Sequence, residues 1–137
     1  MSLGHEKLDV YQLSIDYVRW VFSCSVNLKG DFRSTKDQWV RASQSIPLNI
    51  AEGNGKSTQP DRRRFFEIAR GSALECAAVQ DVLVACGGLE VKESETQKSS
   101  LDRIAIMLSR LGQSSYEIRE PSEAYLVNDP EPGLKSE

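Results

Sequence analysis

The stretch Ser45-Ile46-Pro47-Leu48-Asn49-Ile50-Ala51-Glu52-Gly53 sets a proline inside a segment whose neighbours otherwise read as helix. Pro47 has no backbone donor, and its ring presses on the carbonyl four residues back, that of Ser43. A helix through it must therefore bend or give that carbonyl another partner. Trp39, Ala42, Ser43, Ile46 and Ile50 share one side of such a helix, with Arg41, Ser45, Asn49 and Glu52 beside them. Gly53 reads as the C-terminal stop. Asn49 and Glu52 are expected to hold the bent helix and the following turn through hydrogen bonds to backbone freed by Pro47. A buried carboxylate is costly unless paired, so Glu52 is expected to meet an arginine or backbone amides.

Outward from this stretch the chain divides into helices. Leu8, Tyr11, Ile15, Val18 and Phe22 alternate at spacings of three and four, which predicts a first helix from about Glu6 to Leu28, ended by Lys29-Gly30-Asp31. The second is predicted to begin after Thr35, with Gln38 completing a capping box, and to end at Gly53 before the Asn54-Gly55 turn. Thr58 can cap the third, Pro60 suits its first turn, and Asp61 complements its positive end. That helix extends to about Cys86, where Gly87-Gly88 breaks it. A fourth, from about Lys92 to Arg119, carries Leu101, Ile104, Ala105, Leu108, Leu111 and Ile118 as its stripe. Connections this short favour antiparallel neighbours. The expected fold is all-α, an antiparallel up-down-up-down four-helix bundle over residues 1–119.

The serine, aliphatic, proline, any residue, Asn-Ile-Ala-Glu-Gly string at 45–53 resembles the signature of a small bacterial four-helix-bundle family. That family is known from intervening sequences in large-subunit ribosomal RNA genes. The resemblance extends to Leu8-Asp9-Val10-Tyr11, to Phe65-Phe66-Glu67-Ile68-Ala69-Arg70-Gly71-Ser72 and to Met107-Leu108, covering roughly residues 6 to 119. It implies a ring-like homo-oligomer, a pentamer, but no defined biochemical role. A branch similar in fold, the accessory proteins of diversity-generating retroelements, works with a reverse transcriptase and RNA.

Composition is that of one globular domain, at 39% apolar and 27% charged residues over 137 positions. No run of about 18 uncharged apolar residues could span a bilayer, and the N-terminal residues lack the apolar core of a secretion signal. The expected location is cytoplasmic, with no membrane partner. The net charge of -3 hides an uneven distribution. Basic residues dominate from Lys29 to Arg70, whereas Glu120, Glu123, Asp129, Glu131 and Glu137 accompany Pro121, Pro130, Pro132 and Gly133 at the other end. Residues 120–137 therefore read as an acidic tail, expected to be disordered. Cys24, Cys76 and Cys86 lack metal-ligand spacing and fall where helices carry small apolar residues, so all three are expected to be structural.

Catalytic constellations fare poorly. A dinuclear carboxylate site needs two Glu-x-x-His pairs, and the chain has one histidine, His5, which leaves Glu52, Glu67 and Glu75 without imidazole partners. Triads and Cys/His pairs fail on the same count. Gly53-Asn54-Gly55-Lys56-Ser57-Thr58 lacks the spacing and the preceding strand of a phosphate loop. No catalytic residue, metal, cofactor or small-molecule substrate is inferred.

Two features point to interaction instead. Val10, Leu13, Tyr17, Trp20 or Val21, Cys24 and Leu28 form a second apolar stripe on the first helix. Leu74, Ala78, Val82 and Ala85 do so on the third, opposite Phe66, Ala69, Ala73, Cys76, Gln80 and Leu83. Leu13, Tyr17, Trp20, Leu74, Ala78 and Val82 are accordingly the candidate contacts between copies. Arg62-Arg63-Arg64 lie at a helix start, where the dipole disfavours cations. Either Asp61, Glu67 and Glu52 neutralise them, or an external anion such as RNA phosphate does. Lys56, Arg62, Arg63, Arg64 and Arg70 are the candidate nucleic-acid contacts. The expected function is a non-catalytic homo-oligomeric scaffold that binds RNA or an RNA-handling protein such as a reverse transcriptase. The alternative is a protein-interaction scaffold without nucleic acid, which the acidic pI of about 5.3 favours.

Overall fold

The computed structural model describes the backbone of residues 3–119 and side chains as far as residue 113. The predicted tail, 120–137, and the side chain of Ile118 lie outside the described residues. Four helices follow one another: α1 (Asp9–Ser25), α2 (Arg33–Asn54), α3 (Gln59–Ala85) and α4 (Val91–Arg119). Short 3-10 turns, Gly4–Lys7 and Gly30–Phe32, precede α1 and α2, and no strand occurs among the described residues.

Cross-helix contacts give the direction of each helix. Gln38 reaches Glu75, Ser72 reaches Ser45 and Arg62 reaches Asn54, so α3 numbers rise as α2 numbers fall. Between α3 and α4 the pairs are Gln80 with Ser94, Lys98 with Asp81, and Arg63 with Gly112. Tyr17 bonds Trp39, and Phe22 shares a groove with Lys36 and Val40. Each sequential pair is thus antiparallel. α1 also packs on α4, while α1 and α3 sit on one diagonal and α2 and α4 on the other. The result is the expected all-α four-helix bundle.

One polar chain crosses the core and touches every helix. Trp39 Nε1 of α2 donates to Tyr17 Oη of α1 at 3.0 Å, and that hydroxyl donates to Gln80 Oε1 of α3 at 2.5 Å. Gln80 Nε2 donates to the carbonyl and the hydroxyl of Ser94 in α4, each at 3.1 Å. Every polar group in the chain has a partner, so burial leaves no unpaired donor or acceptor to weaken it. Around it pack Val21, Ile46, Ile50, Phe66, Leu83, Ile104 and Leu108.

Local expectations are corrected at three points. α1 spans Asp9–Ser25 rather than Glu6–Leu28: Leu8 is extended (φ -81, ψ 130) and turns the chain between the 3-10 segment and the helix, and beyond Ser25 the amides of Asn27 and Leu28 bond carbonyls three residues back in a turn. α2 begins at Arg33, so Thr35 lies inside the helix and does not cap it; Phe32 stands at the cap position with no side-chain bond. Gly53 is helical and buried, and the helix continues to Asn54. Its lack of a side chain serves packing: a Cβ there would lie 2.8 Å from Cε1 of the Phe66 ring. The third helix starts as expected, with Thr58 Oγ1 accepting from the Asp61 amide at 3.3 Å.

Candidate nucleic-acid interface

The short α2–α3 turn places the end of one helix beside the start of the next, so a basic cluster and a row of helix-terminal carbonyls meet. Arg62 Nη1 donates to the Asn54 carbonyl at 3.1 Å. The last carbonyls of a helix carry partial negative charge, and this contact offsets the cost of a cation at the α3 N-terminus. The expected neutralisation by Asp61, Glu67 and Glu52 does not occur. Among the described residues no carboxylate lies within ion-pair distance of Arg62, Arg63, Arg64 or Arg70, and Glu52 is exposed and pairs with Lys56 at 3.5 Å. Glu52 therefore meets a lysine on its own helix rather than an arginine or backbone amides.

Aromatic rings and a second carbonyl hold the remaining cations. The Arg64 guanidinium stands 4.6 Å from the Phe65 ring centre, Lys56 Nζ 5.1 Å from the same ring, and Arg62 5.4 Å from Phe66. Such contacts orient a cation without cancelling its charge. Arg63 Nε points to the Gly112 carbonyl of α4 at 3.4 Å, an acceptor shared with Gln59 Nε2. Beside it a cleft of about 380 Å³ between α3 and α4 is lined by Arg63, Phe66, Glu67, Arg70, Ser109 and Gln113. Gln59 and the two phenylalanines were missed as site residues. The Arg62–Phe66 spacing of four was legible as a same-face pair, but nothing local announced that Gln59 reaches α4.

The other candidates sort by burial. Asn49 Nδ2 donates to the Ser45 carbonyl at 2.8 Å and to its hydroxyl at 3.0 Å, and Ser72 Oγ of α3 donates to the same hydroxyl at 2.8 Å. The group Asn49 secures is thus the Ser45 carbonyl and not that of Ser43. Ser45 serves as a junction between α2 and α3, while Pro47 is buried within α2. Tyr17, expected at a contact between copies, is 1% exposed and belongs to the core. Leu13 and Trp20 are half-buried against that core, and Trp20 Nε1 donates to Glu93 at 3.3 Å. The two stripes of α1 exchange roles: the outward one holds Ile15, Val18, Phe22 and Val26, with Phe22 at 45% and Val26 at 66% exposure. On α3 the expected division holds, and Leu74, Ala78, Val82 and Ala85 all face outward.

Of the cysteines only Cys76 is fully buried. Cys24 is half-buried, and Cys86 is exposed at the α3 C-cap, against the structural role expected of it. Burial pushes the Cys76 thiol up to about 12 and raises Cys24 as well. His5 packs edge-on against Tyr11 at 4.8 Å. Among the described residues no cluster of three or more His, Cys, Asp or Glu could hold a metal ion, and no helix is long and apolar enough to cross a membrane.

A compact antiparallel helical bundle with this Pro-containing second helix defines a class of small bundle proteins. Residues 6–110 match the 23S rRNA-intervening sequence protein family, and the chain belongs to that family. A crystal structure of a protein of unknown function from the S23 ribosomal protein family of Bacteroides thetaiotaomicron is similar in fold. It gives a TM-score of 0.70 at 18% identity, over 76% of this chain and 95% of the other. No curated protein matches the chain.

Proposed function

We propose that the protein is a non-catalytic homo-oligomeric scaffold whose assembled copies present basic ends to RNA. The observation that carries this reading is the state of the cations. Arg62, Arg63 and Arg64 are held by carbonyls and aromatic rings rather than carboxylates, so they are preorganised while their charge stays available to phosphate. The family's name, which refers to 23S rRNA intervening sequences, agrees with an RNA context. A reverse transcriptase or other RNA-handling protein is the natural class of co-partner.

Self-association is supported by apolar surface on two diagonal corners. Leu74 and Val82 on α3 are 51% and 49% exposed, and Phe22 and Val26 stand out from α1. Two different patches on opposite sides favour a head-to-tail contact, which closes into a ring, over a two-fold dimer that would use one patch twice. The groove of about 470 Å³ between α1 and α2, bordered by Phe22 and Val40, suits the Leu74–Val82 ridge of a neighbouring copy. A ring repeats the basic end on every subunit, and multivalency turns weak phosphate contacts into useful affinity.

The test is a salt-titrated binding measurement with single-stranded RNA. Arg62→Ala, Arg63→Ala and Arg64→Ala combined should weaken binding and reduce the slope of log K against log salt by about 2, at about 0.7 per lost contact. Unchanged affinity and slope would remove phosphate contact from the reading and leave a protein-interaction scaffold.

A further inference from the structure

We propose that the cleft between α3 and α4 reads guanine: Glu67 accepts from the N1–H and N2–H donors of the base, Arg70 donates to its O6 and N7, and Arg63 holds the attached phosphate. This deepens the RNA reading and rests on it for the source of the base, a strand of RNA rather than a free nucleotide. Residues 63, 67 and 70 follow at steps of four and three, so they line one flank of α3. Along the helix axis Glu67 lies about 6 Å from Arg63 and about 4.5 Å from Arg70. Ser109, Gly112 and Gln113 of α4 close the other side of a space of about 380 Å³. Pockets for small organic ligands run from about 300 to 1,000 Å³, so a single nucleotide is the scale of occupant that fits.

Opposite charges at these spacings on a helix ordinarily pair. Here they do not. Arg63 turns its Nε to the Gly112 carbonyl at 3.4 Å, while Glu67 and Arg70 make no hydrogen bond or ion pair among the described residues. A carboxylate set between two arginines works against a site for phosphate alone, because it repels the ligand. A base edge can use it. An ionised carboxylate only accepts, so its partner must offer donors. Guanine is the one RNA base with two adjacent donors on an edge, and beside them lie O6 and N7, the acceptor pair that arginine grips with two bonds. Adenine and cytosine offer one amino group beside an acceptor nitrogen, and uracil one N–H between two carbonyls. Around the rim of guanine the order is O6 and N7, then N1 and N2, then the sugar side, which matches Arg70, Glu67 and Arg63 along α3. Unpaired RNA exposes these edges.

The test uses the full chain and labelled single strands: an oligouridylate, the same strand with one central guanosine, and the same strand with one central adenosine. At low salt the guanosine strand should bind about ten-fold more tightly than the other two, the discrimination of one bidentate base contact. Glu67→Gln should abolish that preference while the oligouridylate binds as well or better, since the variant loses a negative charge beside the phosphates. Two results overturn the inference and leave the RNA reading intact: no preference for guanosine in the parent, or a preference that survives Glu67→Gln. A uniform loss of affinity preserves the ratio and counts as the second. Should no strand bind, the RNA reading falls and titration with GMP and AMP decides the cleft. Saturable binding of GMP over AMP, lost in Glu67→Gln, keeps it as a guanine site fed by free nucleotide, and any other result removes both.

Discussion

The phenol of Tyr17 donates to Gln80 Oε1 across 2.5 Å at the centre of the bundle, while the same oxygen accepts from Trp39 Nε1 at 3.0 Å. One hydroxyl therefore satisfies groups from two other helices, and Gln80 passes the connection to Ser94 on the fourth. Apolar stripes tolerate sliding by a turn, but these hydrogen bonds form in one register only.

Tyr17→Phe tests that role with little change in volume. It leaves the Trp39 N–H and the Gln80 carbonyl buried without partners, each costing about 1–3 kcal/mol. The expected loss is about 2–4 kcal/mol, read as a lower urea midpoint at constant slope and fixed protein concentration. A loss below about 0.5 kcal/mol would mean that water or a neighbouring group takes over the bonds.

The same residue shows where the sequence was legible and where it was not. Helix existence and order followed from periodicity and from the Thr58-Gln59-Pro60-Asp61 start, because caps and stripes are local. α1 carries two apolar stripes of similar strength, and periodicity cannot say which faces the core. The deciding factor was the buried partner of a polar group, Gln80, 63 positions away from Tyr17. At the basic end the arginines were legible as a cluster, but their partners were not. The Asn54 and Gly112 carbonyls are backbone groups that every residue carries, and only the packing of α3 against α2 and α4 selects them.

Gly53→Ala separates packing from helix propensity. Alanine gains about 1 kcal/mol over glycine inside an exposed helix, yet here its Cβ would stand 2.8 Å from Cε1 of Phe66 and 3.1 Å from Cβ of Phe65. Phe66 is 1% exposed and cannot swing away freely. Overpacking of this kind costs about 1–3 kcal/mol, so the variant should melt lower than the parent. A higher melting temperature would show that the ring yields.

Alkaline pH should destabilise the fold in a defined window. The folded state holds the Cys76 thiol up to about 12 through burial, from an ordinary value of 9.0. Between those values the unfolded chain loses the proton and the folded chain keeps it. Stability is thus full below about pH 9 and falls by about 1.4 kcal/mol per pH unit above it. Burial raises Tyr17 in the same direction and steepens the fall above pH 10. Urea midpoints from pH 7 to 11 check this, and Cys76→Ala should flatten the portion between pH 9 and 10. A disulfide reagent at neutral pH should label exposed Cys86 while Cys76 stays unmodified until denaturant is added.

The outer face of α3 offers a test of assembly that is independent of folding. Leu74 is 51% exposed, so Leu74→Asp should leave the subunit's helicity intact while reducing the mass measured by light scattering. Gly71 sharpens the argument. It sits mid-helix on this face, where a Cβ would meet nothing within 4 Å, so the isolated subunit gains no packing from the glycine. Gly71→Ala should therefore stabilise a dissociated subunit by about 1 kcal/mol. If a second copy packs closely on the Gly71–Leu74–Ala78 stripe, the same methyl pushes it away and the assembly dissociates at a higher concentration than the parent. The two effects have opposite signs, which no general loss of stability can mimic. A Leu74→Asp protein of unaltered mass would place the contact between copies on another face.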